Sequence, residues 1–121
     1  MREILFRGKI KNNSKWICGD LSTIAHKCYI DDRLKNMERV DPETVGQFIG
    51  LTDKNGIKIF EGDILKSPFD KKFFEVFYDE CRFFVKTNRG TVLRGVQSAI
   101  DHYELEVIGN IYDNPELLEA K

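Results

Sequence analysis

Residues 45–60, VGQFIGLTDKNGIKIF, predict two short strands joined by a tight turn. Apolar residues dominate Val45–Ile49 and return in Ile57–Phe60, whereas Asp53–Gly56 between them consists of residues common in turns. Asn-Gly is the pair that accepts positive φ at both central positions of a type I′ turn, and the twist of that turn matches the flanking strands. We therefore expect a β-hairpin with a type I′ turn at Asn55-Gly56.

Short apolar segments at close spacing continue this pattern along the chain. The segments predicted to be strands are Ile4–Arg7, Trp16–Leu21, Cys28–Ile30, Ile64–Lys66, Phe73–Tyr78, Arg82–Thr87, Thr91–Arg94 and Tyr103–Val107. Residues 31–39 have no clear period and predict a loop, and Asp79-Glu80 predicts a turn between two strands. Ser98–His102 and Asn114–Leu118 predict short helical turns. Because no helix is long enough for βαβ crossovers, we expect an antiparallel barrel or a strongly bent sheet.

Length and composition indicate one cytoplasmic domain with at most a satellite hairpin. A chain of 121 residues with 41% hydrophobic and 32% charged residues has the balance of a globular protein. No apolar run approaches the roughly 18 residues that a membrane span needs, so neither a signal peptide nor a membrane partner is expected. Cys18, Cys28 and Cys81 are an odd, scattered set, which predicts free thiols rather than disulfides.

Five blocks of the sequence form an ordered pattern. They are REILFRG at 2–8 with Trp16 and Gly19, VDPETVGQF at 40–48, GLTDKNG at 50–56, IFEGDI at 59–64 and VIGNIYDNPELL at 107–118. Together these blocks resemble the YopX family of phage and prophage proteins, and the likeness covers nearly the whole chain. One departure is Ile49, where a small or polar residue such as threonine is expected.

The resemblance implies a mainly β fold in two parts. An N-terminal β-hairpin segment, residues 1–40, would pack on an SH3-like small barrel, residues 41–121, that ends in a helical turn. It also implies a phage or prophage origin and a location in the host bacterial cytoplasm. The family has no established biochemical role, so the resemblance assigns no catalytic residue. Glycines such as Gly56 and Gly62 in the matching blocks are explained by backbone geometry.

Residues able to bind a metal or to act as nucleophiles are present but scattered. They are Cys18, His26, Cys28, Cys81 and His102. None of them forms a Cys-x-x-Cys or His-Glu-x-x-His pair, so we expect no metal site and no cofactor. A catalytic thiol needs an adjacent base, and only the fold could bring His26 to Cys28 or His102 to Cys81. The sequence therefore favours a protein without enzymatic activity.

The stretch from Arg82 to Arg94 supports nucleic-acid binding as an alternative function. Its basic and aromatic residues, with no acid between them, are Arg82, Phe83, Phe84, Lys86, Arg89 and Arg94. Cations that contact phosphates and rings that stack on bases are combined in this way in single-strand binders. The competing interpretation is that this strand pairs its charges with an acidic neighbouring strand on a solvated face.

Protein binding is the favoured hypothesis. Nine phenylalanines and Trp16 offer more large apolar surface than a small barrel readily buries. Exposed apolar surface is typical of contacts with another protein, which would be a phage or host partner or a second copy in a homo-oligomer. The competing interpretation is a well-filled core in two parts.

Overall fold

The computed structural model describes residues 3–69, 71–93 and 95–119, and these residues form a mainly β protein, as the sequence predicts. The strands are β1 Phe6–Lys9, β2 Trp16–Ile24, β3 Lys27–Asp31, β4 Met37–Val40, β5 Gly46–Thr52, β6 Lys58–Phe60, β7 Asp63–Lys66, β8 Phe73–Asp79, β9 Arg82–Thr87, β10 Val92–Leu93 and β11 Glu106–Asn110. Within the described ranges there is one α-helix, α1 Val96–Tyr103, and there are 3-10 helices at Pro42–Thr44 and Pro115–Leu118.

The chain forms two compact units, Met1–Gly50 and Leu51–Lys121. The sequence places the boundary after residue 40, whereas the division falls inside β5. Backbone pairing explains this difference, because Gly46 at the start of β5 pairs with Arg7 of β1. The hydroxyl of Thr44 also accepts a hydrogen bond from the Lys9 N–H at 2.9 Å, which ties residues after 40 to the first unit.

In the first unit the strands follow the antiparallel order β4-β3-β2-β1-β5. β2 pairs with β1 through its first half and with β3 through its second half, and an isolated bridge joins the residue after β1 to the last residue of β4. Ile17, Ile30 and Val40 form the buried centre of this unit. Gly19 is required, because a Cβ there would collide with the carbonyl oxygen of Asp31.

In the second unit β7, β8, β9 and β10 form an antiparallel meander, and β11 returns to pair with β7. Cross-strand partners Val76 and Val85 are fully buried, as is Phe74 on the same face of β8. The helix α1 packs against β9, and the Tyr103 ring lies 5.3 Å from the ring of Phe74. Among the described residues β10 and β11 lie at the two ends of this order, and no strand pairing closes it into a barrel.

The turn at Asp53–Gly56 is present, but its predicted type I′ geometry is wrong. Within the turn only Gly56 has positive φ, 80°, and its N–H donates to the Asp53 carbonyl oxygen at 3.0 Å. The reason is the Asp53 side chain, whose Oδ1 accepts hydrogen bonds from the N–H groups of Asn55 and Ile57. An aspartate that binds the backbone two residues further on imposes its own turn geometry.

Two-residue turns with positive φ at both positions occur instead at sites without an Asn-Gly pair. Ala25-His26 joins β2 to β3 with φ values of 51° and 65°, and Glu80-Cys81 joins β8 to β9 with values of 47° and 64°. The sequence predicts the second turn at Asp79-Glu80, one residue early. The register fixes the actual position, because Asp79 is the cross-strand partner of Arg82.

Two other predictions of secondary structure are wrong. Met37–Val40, at the end of the predicted loop 31–39, is β4, because its backbone pairs with β3. Tyr103, predicted to begin a strand, ends α1, and Glu104 takes a left-handed φ of 50° while its N–H donates to the Ile100 carbonyl oxygen. The last strand therefore begins later, at Glu106.

Candidate functional site

The Asp53 turn, defined as residues 53–57, is organised by a buried carboxylate. Asp53 is 5% exposed, and its Oδ1 accepts hydrogen bonds from the N–H groups of Asn55 at 2.8 Å and Ile57 at 2.9 Å. Its Oδ2 accepts a third from the N–H of Val107 in β11, also at 2.9 Å. Three backbone donors on an ionised acceptor are a strong structural bond between the turn and β11. The carboxylate is therefore used by the fold.

The same use of polar side chains recurs in the blocks 59–64 and 107–118. Asp63 is 1% exposed, and its Oδ2 accepts a hydrogen bond from the Phe60 N–H at 2.7 Å. Asn110 is 9% exposed, and its Oδ1 accepts from the N–H groups of Tyr112 at 3.0 Å and Asp113 at 2.9 Å. Buried polar groups need such partners. These residues hold the backbone in place, and none of these contacts requires a chemical role.

An open groove in the second unit lies outside these blocks. The β10–α1 groove has a volume of about 480 Å³ and is lined by Val92, Leu93, Gly95, Ser98, Ala99, His102 and Tyr103. Four of these residues are spaced i, i+3, i+4 and i+7, so they share one face at and just before α1. Val92 is 47% exposed at the rim, and Ala99 is buried at the floor. The groove presents a concave and largely apolar surface.

A smaller pocket adjoins the groove and shares Leu93 and Tyr103 with it. This basic pocket has a volume of about 100 Å³ and is lined by Lys72, Phe74, Thr87, Arg89, Thr91, Leu93 and Tyr103. The Thr87 hydroxyl accepts hydrogen bonds from the N–H groups of Arg89 at 3.3 Å and Thr91 at 3.1 Å, which shapes the turn at one side. Two cations, Lys72 and Arg89, contribute to the lining of the pocket.

The predicted nucleic-acid residues on β9 are largely occupied by cross-strand contacts. Phe84 is 5% exposed and stacks on Phe77 at a centroid distance of 5.3 Å, so its face is not open to a base. The Lys86 ammonium lies 3.9 Å from a carboxylate oxygen of Glu75 and 5.0 Å from the Phe77 ring. These contacts match the competing interpretation, in which basic and acidic strands pair their charges.

The remaining predicted residues do not gather into one patch. Arg82 is exposed at the start of β9 and its guanidinium lies 5.8 Å from the Phe84 ring, while Phe83 points to the other face, beside Tyr78. Arg89 lies beyond the opposite end of β9, roughly 20 Å away at the rise of an extended strand, and lines the basic pocket. The last candidate, Arg94, lies outside the described residues.

A family model described as YopX protein matches residues 3–119. The chain belongs to the YopX family. A search of solved structures finds a likeness to the crystal structure of protein EF1440 from Enterococcus faecalis, with 27% sequence identity and a TM-score of 0.65. The match covers 98% of this chain and 100% of the other. A search of curated proteins finds no match.

In this YopX chain neither His26 with Cys28 nor His102 with Cys81 forms a catalytic dyad. Cys28 packs against the Ile17–Ile30–Val40 cluster, whereas His26 occupies the turn before β3. Cys81 lies in the β8–β9 turn, and His102 lines the β10–α1 groove. Within the described residues no three His, Cys, Asp or Glu side chains are grouped so that they could hold a metal ion. None of the described helices has the length and apolar character needed to cross a bilayer.

Charged residues in the first unit of the YopX chain are also used structurally. In the loop 31–36, Oδ1 of Asp32 accepts hydrogen bonds from three successive N–H groups, beginning with Leu34 at 2.8 Å, and these donors hold the pKa of Asp32 below its ordinary value. Arg33 donates to Asp20 at 2.7 Å and lowers the pKa of that carboxyl in the same way. Hydrogen bonding to the ionised form is the cause in both cases. This loop is not a candidate site.

The sequence did not reveal the β10–α1 groove of the YopX chain. One signal was available, since Ser98, Ala99 and His102 have the i, i+1, i+4 spacing of one helix face. The predicted helix ran only from Ser98 to His102, however, and two of the seven lining residues, Val92 and Leu93, lie on a strand. Only the packing of α1 beside β10 creates the concave surface.

Proposed function

We propose that this chain is a phage- or prophage-encoded accessory protein that acts as a non-enzymatic protein-interaction module in the bacterial cytoplasm. The observation that carries this proposal is the β10–α1 groove. Its volume of about 480 Å³ falls within the range of ligand-binding clefts. Its walls are partly exposed apolar side chains, which gain stability when a partner covers them.

The rest of the second unit supports a structural scaffold around this groove. The side-chain oxygens of Asp53, Asp63 and Asn110 accept hydrogen bonds from backbone N–H groups. The antiparallel meander from β7 to β10, followed by a helix and a strand that pairs with β7, supports the proposal that the second unit is an SH3-like domain. In this proposal the second unit is such a domain, and the partner binds beside its edge strand.

Blocking the groove tests the proposal. Ser98 is exposed and lines the groove, whereas its neighbour Gln97 is exposed on α1 but is absent from the lining. Ser98→Trp therefore fills the groove, and Gln97→Trp is the matched control with the same added ring. Partners recovered from prophage-induced bacteria with nuclease treatment, and identified by mass spectrometry, are purified and titrated against all three proteins. We expect Ser98→Trp alone to lose binding, and equal binding by both variants would refute the proposal.

Self-association is tested by light scattering on the same proteins. If a second copy occupies the groove, the wild type and Gln97→Trp form oligomers and Ser98→Trp is a monomer. A strict monomer in all three proteins removes self-association and leaves a phage or host partner.

Nucleic-acid binding through Arg82, Phe84, Lys86, Arg89 and Arg94 stays a prediction, and the contacts of Phe84 and Lys86 with β8 speak against it. It predicts affinity for oligonucleotides that falls steeply with salt. A gel shift at low salt that Arg82→Gln abolishes would favour this function over protein binding.

A further inference from the structure

We infer that the β10–α1 groove and the basic pocket together bind an extended peptide that carries an apolar side chain next to an aspartate or glutamate. This inference rests on the proposed function and names the class of partner segment. Groove and pocket share Leu93 and Tyr103 in their linings, so the two cavities are adjacent. The combined site therefore offers an apolar part beside a cationic part.

The groove accounts for the apolar side chain. Leu93 and Tyr103 are half-buried and Ala99 is buried, so the floor has few groups that need water. The small residues Gly95 and Ser98 line the adjacent wall and leave room above the helix. An aliphatic or aromatic side chain placed here loses apolar surface to the protein without stranding a polar group.

The basic pocket accounts for the carboxylate. Lys72 and Arg89 come from two segments that are tied together, because the Asn88 N–H donates to the carbonyl oxygen of Phe73 at 2.9 Å. The Thr87 hydroxyl fixes the turn that carries Arg89. Both cations are exposed, and a guanidinium on a fixed turn can bind a carboxylate through two parallel hydrogen bonds.

The edge of the sheet accounts for the extended backbone. β10 lies at one end of the strand order, and the Thr91 carbonyl oxygen accepts a hydrogen bond from the Thr87 N–H of β9 at 2.8 Å. Backbone groups alternate in direction along an antiparallel strand, so the N–H and C=O of Val92 point away from β9. A peptide beside β10 can pair with Val92, as in recognition by strand addition. In this proposal the peptide continues past the groove in both directions, and the acid is a side chain within the peptide.

Selection from a library of random peptides with amidated C-termini tests this assignment. The purified full chain is the target, and Ser98→Trp and Gln97→Trp are selected in parallel. We expect the wild type and Gln97→Trp to enrich peptides that combine an apolar residue with an adjacent Asp or Glu, and Ser98→Trp to enrich none of them. The best peptide is then measured by fluorescence anisotropy against its Asp→Asn or Glu→Gln form. The loss expected is roughly tenfold in affinity.

Variants that remove positive charge test whether the carboxylate of the peptide binds in the basic pocket. The double variant Lys72→Gln with Arg89→Gln should bind the acidic peptide and its amide form equally, whereas Arg82→Gln, a change of the same kind at the far end of β9, should keep the tenfold preference.

Equal binding of both peptide forms by the wild type overturns the inference, and so does preference for a free C-terminal carboxylate in a second library. Displacement of the peptide by an oligonucleotide would also overturn it. Apolar peptides that bind without an acid, and that Ser98→Trp excludes, would overturn it while leaving the proposed function intact.

Discussion

The Asp53 turn and the β10–α1 groove lie in the same unit but use their residues in opposite ways. In the turn a carboxylate that is 5% exposed accepts hydrogen bonds from three backbone N–H groups. In the groove most side chains are apolar or small, with His102 as the exception, and Val92 is 47% exposed. The comparison teaches that the conspicuous polar residues of this chain maintain its backbone, whereas the surface suited to binding comes from residues that form no recognisable motif.

The largest expected effect is on stability, and it comes from removing the carboxylate that organises the Asp53 turn. Asp53→Ala should lower the free energy of unfolding by about 3 kcal/mol, because three backbone donors lose an ionised acceptor. Urea titration followed by far-UV circular dichroism measures the change. Asp53→Asn retains one acceptor oxygen and should lose less. If the alanine variant lost under about 1 kcal/mol, the turn would not depend on this carboxylate.

Two glycines, one in each region, can be replaced with the same expected loss of stability, which allows the two regions to be compared. Gly56 in the Asp53 turn and Gly90 beside the basic pocket have φ values of 80° and 93°, and a Cβ would meet no atom within 4 Å at either site. Each alanine substitution should therefore cost about 1 kcal/mol through backbone strain alone. Thermal unfolding measures both, and only Gly90→Ala should also weaken peptide binding, because it disturbs the turn that carries Arg89. Loss of binding in Gly56→Ala would show that the two regions are coupled.

The fold was predictable where residues that are close in the sequence determine the local structure. Alternating and β-branched residues gave the strands of both hairpins, and Asn114-Pro115 gave the final helical turn. The turn at Asp53 was located correctly, but its predicted type I′ geometry was wrong, because the Asp53 carboxylate fixes the turn through hydrogen bonds, one of them from Val107, which is distant in the sequence. The sequence does not predict the turn at Glu80-Cys81, because the cross-strand register imposes positive φ on two residues that do not favour it.

The candidate site was predictable only in fragments. Arg89 was singled out for its charge and does line the basic pocket, but the other lining residues, such as Lys72 and Tyr103, come from segments that the sequence does not link to it. Phe84 and Lys86 looked available in the sequence, yet Phe84 is buried against Phe77 and Lys86 lies beside Glu75, both on β8. Which face of a strand is covered depends on the fold, and a single sequence does not show it.

A smaller effect of opposite sign is expected in the β8–β9 turn. Replacing Glu80-Cys81 by Asn-Gly should raise the free energy of unfolding by about 0.5 to 1 kcal/mol, because both positions have positive φ. The same unfolding measurement checks this, with Glu80→Gln as a control for the lost charge. If the free energy of unfolding did not rise above that of the control, the β8–β9 turn would carry little backbone strain. The difference expected between this turn and the Asp53 turn would then be smaller.

The smallest effect on stability is expected in the groove itself. Ser98→Trp and Gln97→Trp should each change the free energy of unfolding by no more than about 0.5 kcal/mol, because both side chains are exposed on α1. Calorimetry of the two variants measures this. A large loss for Ser98→Trp alone would show that the groove closes against the core and is not open for a ligand.

Mapping by nuclear magnetic resonance tests the central claim most directly. The selected acidic peptide is added to the isotope-labelled full chain, and backbone amide shifts are followed. The account predicts the largest shifts in Val92, Leu93, Ser98, Ala99 and His102, with smaller ones at Lys72 and Arg89. Shifts centred on Arg82–Lys86 or on the first unit, or no shift at all, would contradict the claim that the β10–α1 groove is the binding surface.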